Sequence, residues 1–257
     1  MRRPAPRIVL EAHDASGTTV ARSSLEHGQD PVQVLARSGW SVVRVTEVGS
    51  TGSGEQVLTF RFLVRPAGGT SRDGSAEVGA GPPPAPGTPV RAGGAPKRHR
   101  VDLGRGALAR EEPVPFQRVA AYAVVTSERG LLLTELSERT GRPGAWALPG
   151  GGLDPGEAPL DAALREVWEE SGQEVSIDEV VAVTSDHFVG RAPRGRLEDF
   201  HAVRVIYRGH CEHPSEPVVH DVGGTTSAAA WVGPERLPEI GLTTTWRAVL
   251  AQLGLPT

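Results

Sequence analysis

A chain of 257 residues with 38% hydrophobic content and a formal net charge of −4 is sized for one or two domains. The acidic balance, against one short basic run (Lys97-Arg98-His99-Arg100), argues against nucleic acid as a partner. The single cysteine, Cys211, excludes an intramolecular disulfide; with no apolar signal core after the N-terminal arginines and no stretch of membrane-spanning length, a cytoplasmic protein without a membrane partner is expected.

Taken in chain order, residues 8–10 and 18–21 flank the turn-like Asp14-Ala15-Ser16-Gly17 and predict a hairpin. Asp30-Pro31 opens a short helix through Val32, Val34 and Leu35 that stops near Gly39. Residues 40–48 and 56–64 predict two further strands around GSTGSGE. The sum is a small ββαββ module over residues 1–65, with no catalytic cluster. Its expected role is assembly (a homodimer), covering a sheet edge, or shaping access to the rest of the chain. Residues 66–100 follow, rich in glycine and proline and almost free of large apolar side chains. Such a composition does not bury enough surface to offset chain entropy, which predicts a flexible linker.

The remainder, residues 101–257, predicts a mixed α and β domain. Residues 119–126 and 131–136 form a hairpin around Ser127-Glu128-Arg129-Gly130, and residues 145–148 a short strand that runs into the loop Gly150-Gly151-Gly152. A helix is expected next, with Asp154 as cap, Pro155 at the first position and Glu157 completing a capping box. Leu160, Ala163, Leu164 and Val167 supply its apolar stripe, and Gly172 its left-handed end. Strands at 175–189, 200–207 and 228–232 and a closing helix at 243–253 complete the order.

The helix carries the chemistry. Glu166, Glu169 and Glu170 share one face, where like charges oppose the helix by roughly 0.2–0.5 kcal/mol per pair. Either that face stands in water or a cation occupies it. A glutamate-rich helix taken alone is more often a solvated face. Here Gly151, then Glu157 after five residues, then Arg165-Glu166-Val167-Trp168-Glu169-Glu170-Ser171-Gly172 after seven more, resembles the Nudix box of the Nudix hydrolases. Seven fixed positions match, a coincidence on the order of 10⁻⁸ per window. The final position, usually apolar, is Gln173, a departure that bears on local packing.

The resemblance implies an α+β fold, a mixed sheet sandwiched between helices with the metal site at one sheet edge. It further implies Mg²⁺, with Mn²⁺ as a substitute, held by Glu166 and Glu170 as principal ligands, with Glu169 contributing and Gly151 offering its carbonyl. Arg165 would orient the glutamates and Glu157 would brace Arg165. The implied reaction is hydrolysis of a diphosphate linkage in a nucleoside diphosphate derivative (a nucleotide sugar, dinucleotide or oxidised nucleotide) by attack of water on phosphorus. The catalytic set is then Glu169, Glu166 and Arg165, with Glu169 favoured over Glu166 as general base. Later acids, Asp186, Glu198, Asp199, Glu216 and above all Asp221, are alternatives. Phe116, Trp146, Phe188 and Tyr207 are candidates to stack on a base, with core packing as the commoner use of each. The eight histidines are scattered and read as forming no zinc site, with His187 and His201 ordinary half-buried strand residues. A second reading, a Nudix-like regulator that senses a nucleotide without turnover, has less need of three intact glutamates.

Overall fold

The computed structural model describes residues 5–52, 55–68, 111–192 and 195–256. The expected linker, from residue 69 on, and the basic run at 97–100 lie outside the described residues.

The first part follows the expected ββαββ order: β1 (Arg7–His13), β2 (Thr19–Leu25), α1 (Pro31–Arg37), β3 (Trp40–Thr51) and β4 (Val57–Pro66). The strands lie in the order β2-β1-β4-β3, with β1 parallel to β4 and antiparallel to β2. The β1–β2 turn forms because Asp14 Oδ1 accepts from the backbone N–H groups of Ser16 and Thr18, at 2.9 and 3.0 Å. Asp30 caps α1 by accepting from Gln33 N at 2.9 Å, and Pro31 takes the first helical position. Along β4, strict alternation buries Leu58, Phe60, Phe62 and Val64.

The second part is built on β5 (Val114–Ser127), β6 (Gly130–Leu136), β7 (Trp146–Ala147), β8 (Gly150–Gly152), α2 (Pro159–Ser171), β9 (Ser176–Arg191), β10 (Leu197–His210), β11 (Thr226–Val232) and α3 (Thr244–Gln252). Its seven-stranded sheet has the order β11-β6-β5-β10-β9, with β7 paired to β6 and β8 to β5. The sheet is mixed: β10 runs parallel to β5 and antiparallel to β9. Val119, Ala121, Val203 and Val205 point to one face, where they pack with Ala162 and Ala163 of α2. Val124 and Ile206 point to the other, against Trp246, Val249 and Leu250 of α3. The sheet is therefore sandwiched between helices, as expected.

The α2 face is shared. Ile8, Leu10, Phe60 and Phe62 of the first sheet lie in the same apolar cluster as Val180, Val183, Val203 and Val205 of the second. Polar contacts join the two parts as well. Gln56 Nε2 donates to the Glu157 carbonyl at 2.7 Å, and Ser185 Oγ to the Gln29 carbonyl at 3.3 Å.

Two local expectations are corrected. The helix begins at Pro159, with Ala158 at its cap, whereas Asp154 to Glu157 form a preceding turn closed by Glu157 N to Asp154 O at 3.0 Å. Pro155 and Pro159 both satisfy the rule for a first position, and the apolar stripe settles which one is used: Ala162, Ala163 and Val167 are buried while Leu160 is exposed. Glu157 still reaches back, accepting from Asp154 N at 2.8 Å, so half of the capping box survives without the helix. Secondly, Gly150-Gly151-Gly152 is a short strand paired with Tyr122, Ala121 and Ala120, where pairing overrides the weak strand propensity of glycine. β8 pairs with β5 alone among the described strands, so the box stands beside an outer strand of the sheet.

Candidate active site

The glutamate face of α2 is set against β8. The carboxylate of Glu166 lies close over Gly151, where a Cβ would force that side chain to move. Arg165 organises the acids. Its Nε and one terminal nitrogen donate to Glu157 Oε1 and Oε2 at 2.8 and 2.9 Å. The other terminal nitrogen donates to Glu166 Oε1 at 3.0 Å and Glu169 Oε2 at 3.1 Å, and a last bond reaches the Gly152 carbonyl at 3.1 Å. A guanidinium has five N–H donors, and these five bonds use them all. The hydrogen bond with Glu157 leads in holding Arg165 firmly charged, and in turn keeps the Glu157 carboxyl below the ordinary carboxylate range. With all five donors engaged by three glutamates and the Gly152 carbonyl, Arg165 is set to orient the acids.

The three box acids differ in depth. Glu170 is 6% exposed, and its oxygens accept from Thr226 Oγ1 at 2.5 Å and Gly150 N at 2.9 Å. Burial pushes its carboxyl up to about 7, and the Glu166 and Asp221 charges add to the rise. Burial also raises Glu166, against the opposing pull of Arg165. The Glu169 side chain is the most accessible, 36% exposed against 16% for Glu166. Buried Glu170 and half-buried Glu166, both raised by burial, stand with Glu169 beside a bare glycine backbone and form an all-oxygen donor set. Such a set fits a hard divalent cation.

Of the later acids, Asp221 comes to the site. Its N–H and that of His220 donate to the Glu169 carbonyl at 3.1 and 2.7 Å, which docks the 218–221 segment on the end of α2. The others are engaged elsewhere: Asp186 with Arg204 at 2.6 Å, Glu198 with Arg196, Glu216 with Arg129 at 2.9 Å, and Asp199 with His187 at 2.5 Å. Asp186 also lies inside β9, not in a loop.

Residues missed by sequence reasoning also line the region. The Arg118 guanidinium stands over Gly152, 2.6 Å from where a Cβ would be, and its charge reaches Glu166. Trp168, 49% exposed, stacks on His220 with ring centroids 4.5 Å apart. Arg118 and the box are far apart in sequence, and only the pairing of β8 with β5 joins them. Of the aromatic candidates, Tyr207 is buried in the core and Trp146 packs against the α3 side. Phe116 and Phe188 both lie against Phe200, at 5.6 and 5.2 Å.

Two spacings that suggest zinc on a helix, Glu198-x-x-His201 and His210-x-x-His213, assemble nothing here. Along β10, residues three apart point to opposite faces, and His210 pairs with Asp178 at 3.0 Å. His201 is fully buried, with both ring nitrogens hydrogen-bonded, to Gln117 Oε1 at 3.0 Å and Ser185 Oγ at 3.1 Å.

Known proteins resemble the second part of the chain. The model of the NUDIX domain matches residues 116–253. Nucleoside triphosphatase NudI of Salmonella schwarzengrund (strain CVM19633) is 30% identical over 142 residues, covering 54% of this chain and 98% of the relative. Among solved structures, the MutT NUDIX hydrolase of Burkholderia pseudomallei is 28% identical, covering 54% of this chain and 98% of its own, with a TM-score of 0.41. The MutT protein of Methanosarcina mazei Go1 is 20% identical over 56% of this chain and 95% of its own, with a TM-score of 0.43. The chain belongs to the Nudix family of hydrolases. Enzymes of this family act on nucleotide-derived substrates and generally use a divalent metal. No helix among the described residues is long and apolar enough to cross a membrane.

Proposed function

We propose that the chain hydrolyses a diphosphate linkage in a nucleotide-derived substrate with the help of Mg²⁺, for which Mn²⁺ can substitute. The observation that carries the proposal is the Arg165 clamp, which fixes Glu166 and Glu169 side by side above the Gly151 backbone. Glu166 and Glu170 would be the principal metal ligands, with Glu169 contributing and Gly151 offering its carbonyl. The bound ion would lower the pKa of a water and neutralise charge on the phosphate oxygens. Glu169, the most accessible of the three acids, is the general base that takes the water's proton at a carboxylate oxygen; Asp221 is the alternative. Arg118, the exposed cation beside the box, is placed to hold a substrate phosphate. The named relative acts on nucleoside triphosphates. These therefore join nucleotide sugars, dinucleotides and oxidised nucleotides as substrate candidates.

The test is turnover of that nucleotide panel with Mg²⁺ by wild type, Glu169→Gln and Asp221→Asn. A general base contributes roughly 10²–10⁴ in rate, so Glu169→Gln should lose that factor and the acid limb of the pH–rate profile. An unchanged rate removes Glu169 from the role. Tight nucleotide binding without any product from wild type would favour the sensing reading.

A further inference from the structure

On the α2 face of the large sheet, beyond the apolar core, side chains from three distant parts of the chain converge. His27 lies in the loop between β2 and α1, His187 on β9 and Asp199 at the start of β10. One ring nitrogen from each histidine and a carboxylate oxygen of Asp199 all lie within 4.8 Å of one another. The two oxygens of Asp199 face one histidine each: Oδ1 is 2.5 Å from His187 Nε2, and Oδ2 is 3.3 Å from His27 Nε2.

Two features are unexplained by packing alone. His27 Nε2 is sealed from solvent without a hydrogen-bond partner among the described residues, beyond the longer ion-pair contact with Asp199. Burying a polar atom without a hydrogen-bond partner is unfavourable. The loop that carries it is also fitted to its neighbour. Gly28, at φ +75°, passes so close to His187 that a Cβ there would stand 2.8 Å from the ring. His201 backs the group, with ring centroids 5.5 Å from His27 and 6.1 Å from His187. Since Gln117 and Ser185 occupy both of its nitrogens, it acts as a wall and not as a ligand.

We propose that His27, His187 and Asp199 form a second metal site, for a zinc-class divalent ion, that staples the β2–α1 loop to β9 and β10. Two imidazoles and a carboxylate suit Zn²⁺, whereas Mg²⁺ prefers an all-oxygen shell, so the two sites of this chain select different ions. Tetrahedral Zn²⁺ with bonds of about 2.0–2.1 Å sets its donors about 3.4 Å apart. The His27–Asp199 pair, at 3.3 Å, already stands at that spacing. The His187–Asp199 pair, at 2.5 Å, opens to it by rotation of the carboxylate. Side-chain exposures of 24–31% leave a path for the ion and for a water in the fourth position.

The test uses the full chain, dialysed against Zn²⁺ in excess Mg²⁺, with retained zinc measured and thermal melting followed. One zinc per chain should remain in wild type and in a Glu166→Gln/Glu169→Gln variant, in which the other site is disabled. His27→Ala and Asp199→Asn should each bind at least ~10-fold more weakly and lose the zinc-dependent rise in melting temperature. Zinc retained in both of these, or none retained by the Glu166→Gln/Glu169→Gln variant, overturns the proposal and leaves a proton-bridged His–Asp contact. Should either substitution fail to fold, X-ray absorption at the zinc edge of wild type decides. Imidazole scattering in the first shell supports the site, and an all-oxygen shell overturns it.

Discussion

Arg165 concentrates the order of the candidate site in one side chain, because all five of its donors are spent on Glu157, Glu166, Glu169 and the Gly152 carbonyl. A lysine keeps the charge and loses the planar fork. Arg165→Lys should therefore lower kcat at least ~10-fold, about 1.4 kcal/mol of barrier, with KM little changed. Steady-state kinetics over a substrate series checks the split. Gln173 is the other telling residue. The family pattern expects an apolar side chain there, yet Gln173 is buried at 2% exposure and fully engaged. Its Nε2 donates to the Ser171 carbonyl and Ser215 Oγ at 3.1 and 3.0 Å, and its Oε1 accepts from Ser215 N at 3.0 Å. The amide thus ties the 212–217 loop to the end of α2. Gln173→Leu would strand the Ser215 N–H, and urea unfolding should record a loss of about 1–3 kcal/mol. The sequence pattern marked the departure; what it lacked was Ser215, forty-two residues on, which turns an apolar seat into a polar one.

At the scale of elements, legibility followed periodicity. The strands of the first sheet, the long β9 and β10, and α3 were readable because alternation or a 3.6-residue stripe is a local property. β8 was not, since three glycines have no pattern and acquire strand geometry only from β5. The start of α2 was ambiguous because two prolines four residues apart both suit a helix entry. The His27, His187 and Asp199 cluster was illegible for a different reason. Its spacing is set by sheet register and by contact between two sheets, not by any short motif. The helix α1 offers a test of electrostatics at this scale. Burial raises the Asp30 carboxyl above its ordinary value, against the pull of the Gln33 and Val32 N–H groups. The folded chain thus holds that proton more tightly than the unfolded one. The resulting stabilisation is full below about pH 3.9, the unfolded value, and is lost as pH rises through the higher folded value. Asp30→Asn keeps a good cap without the charge. It should stabilise the chain by about 0.5 kcal/mol at pH 7, a small figure because solvent screens a half-buried group. The gain should vanish toward pH 3 in parallel urea melts.

For the whole molecule, the central fact is that one apolar cluster draws on both sheets. Chain parts that share a core lose it together, so far-UV circular dichroism and tryptophan fluorescence should report one coincident thermal transition. Two separated transitions would show that the ββαββ part and the Nudix part stand independently. The shared cluster has a second consequence, which concerns time. Phe60 leaves the ribosome roughly 120 residues before Val180 and well over a hundred before Val203, its companions in the cluster. At about 5–20 residues per second, the first sheet waits on the order of 6–24 s with that face uncovered. During translation the nascent ββαββ part is thus a sticky surface in search of a cover. The demand this fold places on the cell falls during synthesis, before there is an active site to protect.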